Sequence, residues 1–243
     1  MPAIETDGLR QQYGDVVALE GLDLTVADGE LFGLLGPNGS GKTTTIEILT
    51  GQRKPSAGSA TVLGHDPVAD PLAVREAIGI LPEREDPPSF LTPREYLEFV
   101  GQVRGLGDID DRIDQWADRL SITHKLDTLS SDLSEGERQR VMLAQAFVHE
   151  PDLVFIDEPL VNLDPILQEE VKDHLRDYCE AGNTLFLSTH FVEVAAELCT
   201  SVGILHEGEL LATRDPRTLE SGESLLEYFI STVGARPEEV AEP

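Results

Sequence analysis

One glycine-rich segment constrains the fold of this chain more than any other feature. It fits the pattern G-x-x-x-x-G-K-[ST] at every position, between an apolar run at 31–35 and a helical repeat at 44–49. Glycines let backbone N–H groups curl around an anion, and the N-terminus of the following helix adds partial positive charge. The pattern therefore predicts a strand, a phosphate-binding loop and a helix. The residues of the loop are Gly36, Pro37, Asn38, Gly39, Ser40, Gly41, Lys42, Thr43 and Thr44.

Two side chains of this loop suit a nucleoside triphosphate. Lys42 is long enough to reach the terminal phosphates, and the hydroxyl of Thr43 is a ligand for Mg²⁺. The alternative is a glycine-rich turn before a helix, which the flanking strand and helix patterns disfavour. We therefore predict that the chain binds a nucleoside triphosphate together with Mg²⁺.

The acidity of the chain is spread along its whole length. Asp and Glu number 46 against 18 Lys and Arg, for a net charge of −28. This composition resembles that of cytoplasmic proteins from salt-accumulating haloarchaea, the alternative being an ordinary acidic protein. The charge argues against nucleic acid or an anionic membrane surface as the main partner. No apolar run approaches the roughly 18 residues of a membrane span, and the N-terminus lacks the features of a signal peptide. We therefore expect a cytoplasmic chain.

Apolar strands alternate with helical repeats, which favours an α/β fold with a parallel sheet wrapped by helices. Short antiparallel strands are predicted over residues 1–30, and a hairpin between 202 and 212. We expect one domain over 1–243: an α/β core at 1–83 and 151–213 that includes the antiparallel N-terminal sheet, a helical insertion at 84–150, and a C-terminal helix with an acidic tail at 214–243. The predicted strands of the core are 31–35, 58–64, 78–81, 153–156 and 184–188, of which 78–81 is expected to be buried. The predicted helices of the insertion are 93–104, 108–120 and 134–149.

Two carboxylates follow the apolar strand at 153–156. A phosphate-loop ATPase needs a carboxylate there to hold Mg²⁺ and a second group to orient or deprotonate the attacking water. Asp157 suits the first role and Glu158 the second. The alternative is a strand that ends in surface acids, which is common in so acidic a chain.

Ser134 begins the third predicted helix of the insertion. With Glu137 it forms the capping-box pattern S-x-x-E, which is a structural role. A serine at the N-terminus of a helix is also an anion site. Both roles stay open, because a phosphate contact can replace the cap when a ligand arrives.

The phosphate loop, the Ser134-to-Gly136 helix start and the Asp157-Glu158 strand end together resemble the ATP-binding-cassette (ABC) ATPases. The resemblance covers about residues 13–215. It implies a P-loop NTPase fold of the RecA-like type, with an antiparallel β subdomain and a helical insertion. It also implies a head-to-tail dimer, with itself or with a paralogous ATPase, in which Ser134 and Gly136 of one subunit complete the ATP site of the other.

Three further positions carry family roles by motif. Tyr13 resembles the aromatic residue that stacks on adenine, the alternative being a turn tyrosine. Residues 162–165 resemble the loop that communicates across the dimer, although Asp164 with Pro165 also suits the start of a helix. His190 resembles the histidine that contacts the γ-phosphate, and with Glu158 and Lys42 it completes the expected catalytic set.

The chain departs from the family pattern at four positions. Acids stand at Glu135 and Glu137 of the signature, which usually reads L-S-G-G-Q. Glu83 replaces a glutamine; its carboxylate can still reach Mg²⁺ or the lytic water, the alternative being a surface acid. Leu160 replaces a Thr or Ser, and nothing in the sequence accounts for it.

The resemblance implies the motor subunit of a transporter, peripheral to the cytoplasmic face of the membrane and bound to a separate integral membrane permease. The segment 90–97 looks most like subunits that serve exporters of drugs, ions or surface polymers, and a cleft near 83–95 would receive a helix of the permease. The alternative is a soluble cassette ATPase, such as one that assists iron–sulfur cluster assembly. A small-molecule kinase is disfavoured by the Ser134 motif and by Glu158 beside Asp157.

The spread acidity predicts a fold that salt stabilises. Raising KCl towards molar levels shortens the Debye length to about 3 Å and screens the self-repulsion of the chain. We expect the melting temperature to rise steadily over this range. A melting temperature that is the same at low and high KCl would contradict the haloarchaeal interpretation.

Overall fold

Strands and helices alternate along the part of the chain that the structure, a computed structural model, describes: residues 1–83, 85–158, 160, 163–219 and 222–234. The strands in these ranges are β1 (Ile4–Tyr13), β2 (Val16–Val26), β3 (Leu31–Leu35), β4 (Ala57–Val62), β5 (Ile78–Leu81), β6 (Leu153–Asp157), β7 (Thr184–Thr189), β8 (Ser201–His206) and β9 (Glu209–Arg214). The helices are α1 (Lys42–Leu49), α2 (Pro71–Ala77), α3 (Pro93–Val103), α4 (Ile109–Arg119), α5 (Glu135–Phe147), α6 (Pro165–Glu180), α7 (Val192–Leu198) and α8 (Leu225–Gly234).

The central sheet has the order β5, β6, β7, β3, β8, β9 among the described residues. The first five of these strands run parallel, and β9 pairs antiparallel with β8 through the predicted hairpin. Every residue of β3 and of β6 is buried, which explains their unbroken apolar character, because a parallel strand is covered on both faces. The expected α/β fold with a parallel sheet is confirmed.

The parallel pairing brings three strand ends to one edge of the sheet. In register, Leu35 of β3 pairs with Thr189 of β7, and Asp157 of β6 pairs with Ser188 of β7. Residues that follow these strands therefore meet although they are far apart in sequence. This edge is where ligands bind in open α/β sheets.

A second, antiparallel sheet has the order β2, β1, β4. The strands β1 and β2 span 10 and 11 residues, so they are longer than the short strands predicted from the sequence. Their buried residues alternate and face the central sheet. Between the two sheets lies an apolar cluster whose aromatic centre is Phe32, Phe155 and Phe186, with ring centroids 5.3–5.4 Å apart.

The helices α3, α4 and α5 lie between β5 and β6 in the chain, as predicted, with ends within two residues of the expected ones. Their apolar side chains share one cluster with a face of the central sheet, and Trp116 of α4 stacks on Phe147 of α5 at 5.3 Å. The division into a core and a helical subdomain remains a prediction. The predicted acidic tail at 238–242 lies outside the described residues.

The helix α2 was not predicted from the sequence. It spans only seven residues, too few for a clear apolar repeat. Its start has a recognisable signal, because the side chain of Asp70 accepts a hydrogen bond from the backbone N–H of Ala73, and Pro71 occupies the first helical position.

Two half-buried histidines should make this fold sensitive to acid. Burial lowers the pKa of His149 and of His174 to about 4, from an ordinary value of 6.5. Because the folded pKa lies below the unfolded one, the unfolded chain takes up protons first as the pH falls from about 6.5 towards 4. The linked loss of stability is about 2 kcal/mol for each histidine at pH 5.

Urea unfolding at pH 7.5 and pH 5 measures this loss. His174→Gln should remove one titrating group and shrink the difference in stability between the two pH values. The matched control is His124→Gln, which changes an exposed histidine and should keep the wild-type difference. A difference that is the same in wild type and His174→Gln would show that His174 takes no part in the acid response.

Candidate functional site: a phosphate-binding cleft

The predicted phosphate loop turns tightly between β3 and α1. Gly39 and Gly41 have φ angles of 82° and 110°, in the left-handed region that favours glycine. At Gly36 a Cβ atom would lie 2.2 Å from the carbonyl oxygen of Leu205, and at Gly41 it would lie 2.5 Å from that of Ala18. The loop is therefore closely packed against its neighbours, and larger residues at these positions would displace it.

Neighbouring strands support the loop through backbone hydrogen bonds. The N–H of Gly36 donates to the carbonyl of Thr189 at 3.2 Å, and the N–H of Gly208, in the β8–β9 turn, donates to the carbonyl of Ser40 at 2.9 Å. The hydroxyl of Ser40 is buried and has no hydrogen-bond partner among the described residues. A buried hydroxyl without a partner in a glycine-rich turn fits a site that receives phosphate oxygens.

Lys42 lies folded over its own loop. Its Nζ donates to the carbonyl of Gly36 at 2.8 Å and to that of Pro37 at 3.2 Å. Burial lowers the pKa of Lys42, while the nearby carboxylates of Glu158, Asp157 and Glu83 act in the opposite direction. The ammonium is thus held in the acidic part of the site by backbone carbonyls, which it can exchange for phosphate oxygens.

Asp157 lies at the end of β6, and its carboxylate accepts hydrogen bonds from two hydroxyl groups. Thr43 Oγ1 donates to Asp157 Oδ2 at 2.9 Å, and Ser188 Oγ donates to Asp157 Oδ1. Burial raises the pKa of Asp157. The Thr43 hydroxyl and the Asp157 carboxylate are adjacent hard oxygen donors, so the donor set fits the Mg²⁺ ion predicted from the sequence.

Glu158 is held by the end of β7. Its Oε1 accepts from the backbone N–H of His190 at 3.0 Å and lies 2.6 Å from His190 Nδ1, and its Oε2 accepts from Thr189 Oγ1 at 3.0 Å. Its φ angle is 56°, which is unusual for a residue with a side chain. Two predicted catalytic residues that are 32 positions apart in sequence are therefore in contact. His190 orients the carboxylate of Glu158.

A cavity of about 340 Å³ opens above the loop. Its walls bring together the predicted phosphate-loop and carboxylate residues, and they add Ala18, which the sequence analysis missed. Ala18 belongs to β2, and no sequence signal marks it. The lining residues are Ala18, Asn38, Gly39, Gly41, Lys42, Thr43, Thr44, Glu83, Asp157 and Glu158.

Tyr13 lies at the rim, where β1 ends. Its hydroxyl is 3.5 Å from Thr44 Oγ1, and 38% of the residue is exposed. The guanidinium of Arg53 covers the ring at 4.9 Å from its centroid. This predicted adenine contact therefore lies next to the phosphate loop but outside the walls of the cavity.

Ser134 and Gly136 lie at the start of α5, away from the cavity walls of the same chain. Ser134 is exposed and forms the predicted capping box, in which its hydroxyl accepts from the N–H of Glu137 at 3.3 Å and its own N–H donates to Glu137 Oε2 at 2.8 Å. Lys125 pairs with Glu137 at 3.1 Å. These contacts lower the pKa of Glu137, the backbone hydrogen bond from Ser134 being the largest cause.

The structure also accounts for Leu160, which the sequence could not. Leu160 is only 6% exposed and belongs to the apolar cluster shared with Leu163 and Leu167 of the following segment. Its carbonyl accepts a hydrogen bond from Gln168 Nε2 at 3.0 Å. Asp164 caps α6, as one of the two open interpretations proposed, while Asn162 of the predicted communication loop lies outside the described residues.

A glycine-rich loop with a lysine, followed in space by two strand-end carboxylates, defines a phosphate-loop nucleoside triphosphatase. The model of the ABC transporter family matches residues 19–161. The chain therefore belongs to the ABC transporter family, as an ATP-binding subunit that hydrolyses ATP.

Two relatives illustrate the similarity. The Nod factor export ATP-binding protein I of Rhizobium sp. (strain N33) is 35% identical over 98% of this chain and 79% of its own length. The daunorubicin resistance ATP-binding protein DrrA3 of Streptomyces coeruleorubidus is 36% identical over 96% of this chain and 75% of its own length. Both similarities extend well beyond the segment that the family model matches.

Two solved structures share the fold. The ATP-binding subunit of an ABC transporter superposes with a TM-score of 0.89 and 28% identity, over 95% of this chain and 99% of that one. A dimeric ATP-binding cassette in a post-hydrolysis state with ADP and Pi superposes with a TM-score of 0.82 and 22% identity, over 89% of this chain and 100% of that one. Within the described residues, no helix of this chain is long and apolar enough to cross a membrane.

Proposed function

We propose that this subunit powers export through a separate membrane permease, and that it hydrolyses ATP in the cleft between the phosphate loop and the strand-end carboxylates. The observation that carries the chemistry is the placement of Glu158, whose carboxylate lines the cavity while the end of β7 holds both of its oxygens. Because both oxygens are held, the carboxylate has a fixed orientation towards the cavity, as a positioned base requires.

Binding of the nucleotide uses the loop and its lysine. The backbone N–H groups of residues 38–43 surround the phosphates, and Lys42 exchanges the carbonyls of Gly36 and Pro37 for phosphate oxygens. Thr43 and Asp157, whose oxygens are adjacent, would hold Mg²⁺, and Glu83 at the same cavity would offer a further oxygen donor. The ion, when bound, neutralises charge that develops on the phosphates.

Hydrolysis uses the pair formed by Glu158 and His190. Glu158 accepts a proton from the attacking water, or orients that water, at the mouth of the sheet. His190 keeps the carboxylate in place through its backbone N–H, and its ring Nδ1 lies 2.6 Å from the same oxygen. By the family resemblance, we propose that the ring also contacts the γ-phosphate. Release of phosphate then leaves Lys42 free to return to the carbonyls of its own loop.

The second half of the site comes from another subunit in a head-to-tail dimer. Ser134 and Gly136 lie outside the cavity walls of their own chain, and Ser134 is exposed at the N-terminus of α5, where the helix dipole favours an anion. Pairing of Glu137 with Lys125 offsets one of the two acids in this signature. We propose that Ser134 exchanges its capping bond for the partner's phosphate when the dimer closes.

We propose that the permease helix binds a groove beside α2 and α3, outside the 83–95 segment where the sequence analysis expected it. Leu72 and Val103 are 68% and 71% exposed there, together with Arg75, Glu76 and Arg104, and the groove measures about 410 Å³. Exposed apolar side chains of this size favour an apolar helix as the occupant. The guanidinium of Arg104 donates to the carbonyls of residues 75, 76 and 78, so the groove is tied to the strand that leads to Glu83.

A single ion pair continues this link towards the dimer interface. Asp86, three residues after Glu83, pairs with Arg138 in the first turn of α5 at 3.0 Å. A permease helix in the groove that displaces β5 and the segment after it would therefore also shift α5, at whose start Ser134 lies. We propose that this connection couples transport to closure of the ATP site.

The proposed direction of transport rests on the comparisons, and the proposed salt environment rests on the composition. The relative named for Nod factor export supports export, with the subunit peripheral to the cytoplasmic face of the membrane. The net charge of −28 supports work at molar salt, as in haloarchaea. The alternative, a soluble cassette ATPase, differs in having no membrane partner.

Glu158→Gln tests the proposed chemistry. The change keeps the size of the side chain and removes its charge, so ATP binding should stay the same or tighten. Hydrolysis should fall by roughly 100-fold or more, the scale expected for loss of a positioned base. The variant should then elute from a sizing column in high salt as an ATP-bound dimer. Near-wild-type hydrolysis would place the base elsewhere, with Glu83 or His190 as the next candidates.

Two changes at Ser134, made in the Glu158→Gln chain, separate its two roles. Ser134→Asp keeps a good helix cap but adds a negative charge, so it should abolish the ATP-bound dimer if Ser134 contacts the partner's phosphates. Ser134→Asn keeps the cap without the charge and serves as the matched control for folding. A dimer that survives Ser134→Asp would leave Ser134 with the capping role alone.

The groove on α2 and α3 gives a separate test of the membrane partner. Leu72→Gln and Val103→Gln should reduce the fraction of the subunit that sediments with membranes of the native cells, because each removes exposed apolar surface. ATP hydrolysis by the released subunit should stay the same. The matched control is Ile230→Gln, since Ile230 is 60% exposed on α8. A wild-type chain that never sediments with membranes would favour the soluble alternative.

A further inference from the structure

Arg53 covers one face of the Tyr13 ring, and no motif of the chain accounts for it. The guanidinium carbon lies 4.9 Å from the ring centroid. Arg53 Nε pairs with Glu47 Oε2 at 2.5 Å, and the backbone N–H of Arg53 donates to the carbonyl of Glu47 at 3.0 Å. Because Glu47 belongs to α1, this arrangement holds the arginine against the helix that follows the phosphate loop.

The two ends of α1 contact Tyr13 differently. The hydroxyl of Tyr13 is 3.5 Å from Thr44 Oγ1 in the first turn of the helix, whereas Arg53 follows its last turn. A nucleotide whose phosphates lie in the loop has its base tethered to the first turn. The base therefore reaches the tyrosine from the loop side, and the arginine supports the ring from the other end of the helix.

We propose that Arg53, held by Glu47, is a positioning residue for the nucleobase: it fixes the Tyr13 ring so that the opposite face is presented to a purine. This inference rests on the proposed ATP site and on the stacking role of Tyr13. Cation–π contact with a planar guanidinium limits rotation of the ring, so less entropy is lost when the base stacks.

The charge of Arg53 is not available to the phosphates. The pairing with Glu47 offsets it, and screening at the salt concentrations expected for this chain reduces what remains. The effect of Arg53 should therefore depend on the base and not on the phosphate chain. This distinguishes Arg53 from Lys42, whose effect should be the same for any ligand with the same phosphates.

Calorimetric binding of ATP and of inorganic tripolyphosphate, both with Mg²⁺ in molar KCl, tests the proposal. Arg53→Leu should weaken ATP binding by about 2- to 5-fold, the range of an exposed cation–π contact, and leave tripolyphosphate binding unchanged. Steady-state kinetics should show a KM for ATP raised by about the same factor with kcat unchanged, because the reacting groups are untouched. Arg53→Lys should retain part of the effect.

A double substitution identifies the route. In a Tyr13→Leu chain, Arg53→Leu should have no further effect on ATP binding, because the ring through which it acts is gone. An unchanged or tighter affinity for ATP in Arg53→Leu overturns the proposal, as does an equal loss for tripolyphosphate or an additive loss in the double variant. If the wild-type chain binds neither ligand, the proposed ATP site itself fails, which is a distinct result.

Discussion

The parallel pairing of β6 with β7 is the constraint on which the rest of the site depends. It places Asp157 beside Ser188. The residues that come next, Glu158 and Thr189, therefore lie at the same edge of the sheet. Because of this register, the carboxylate of Glu158 can accept hydrogen bonds from the backbone N–H of His190 and from the hydroxyl of Thr189. A shift by one residue would turn these side chains to the other face and separate them.

The second constraint is electrostatic. Three carboxylates, Glu83, Asp157 and Glu158, line a cavity that Lys42 also lines. Such a site disfavours an anion by itself, so the proposed binding mode relies on the backbone N–H groups of the loop, on Lys42 and on a divalent ion. The opposed influences on the pKa of Lys42, burial against three nearby acids, express the same balance.

Two residues that depart from the family pattern, Glu137 and Leu160, are accommodated by contacts within this chain. Glu137 occupies a position that the family usually fills with a neutral amide, and it is used twice, in the cap of α5 and in a pair with Lys125. Leu160 stands where the family usually has Thr or Ser, and its apolar side chain is buried in the cluster. Both changes therefore keep the local structure.

The sequence alone determined the phosphate loop, the buried parallel strands, the helices of the insertion and the identities of the carboxylates, because each depends on local spacing: glycines in a turn, apolar runs, and repeats of 3.6 residues. It missed α2, whose seven residues carry no clear repeat, and it predicted β1 and β2 shorter than they are. Only the tertiary structure decided that Glu158 is held by Thr189 and His190, that Lys125 pairs with Glu137, and that Arg53 lies on Tyr13. These contacts join residues 12 to 40 positions apart, and their partners are chosen by strand register and helix packing, which no local pattern encodes.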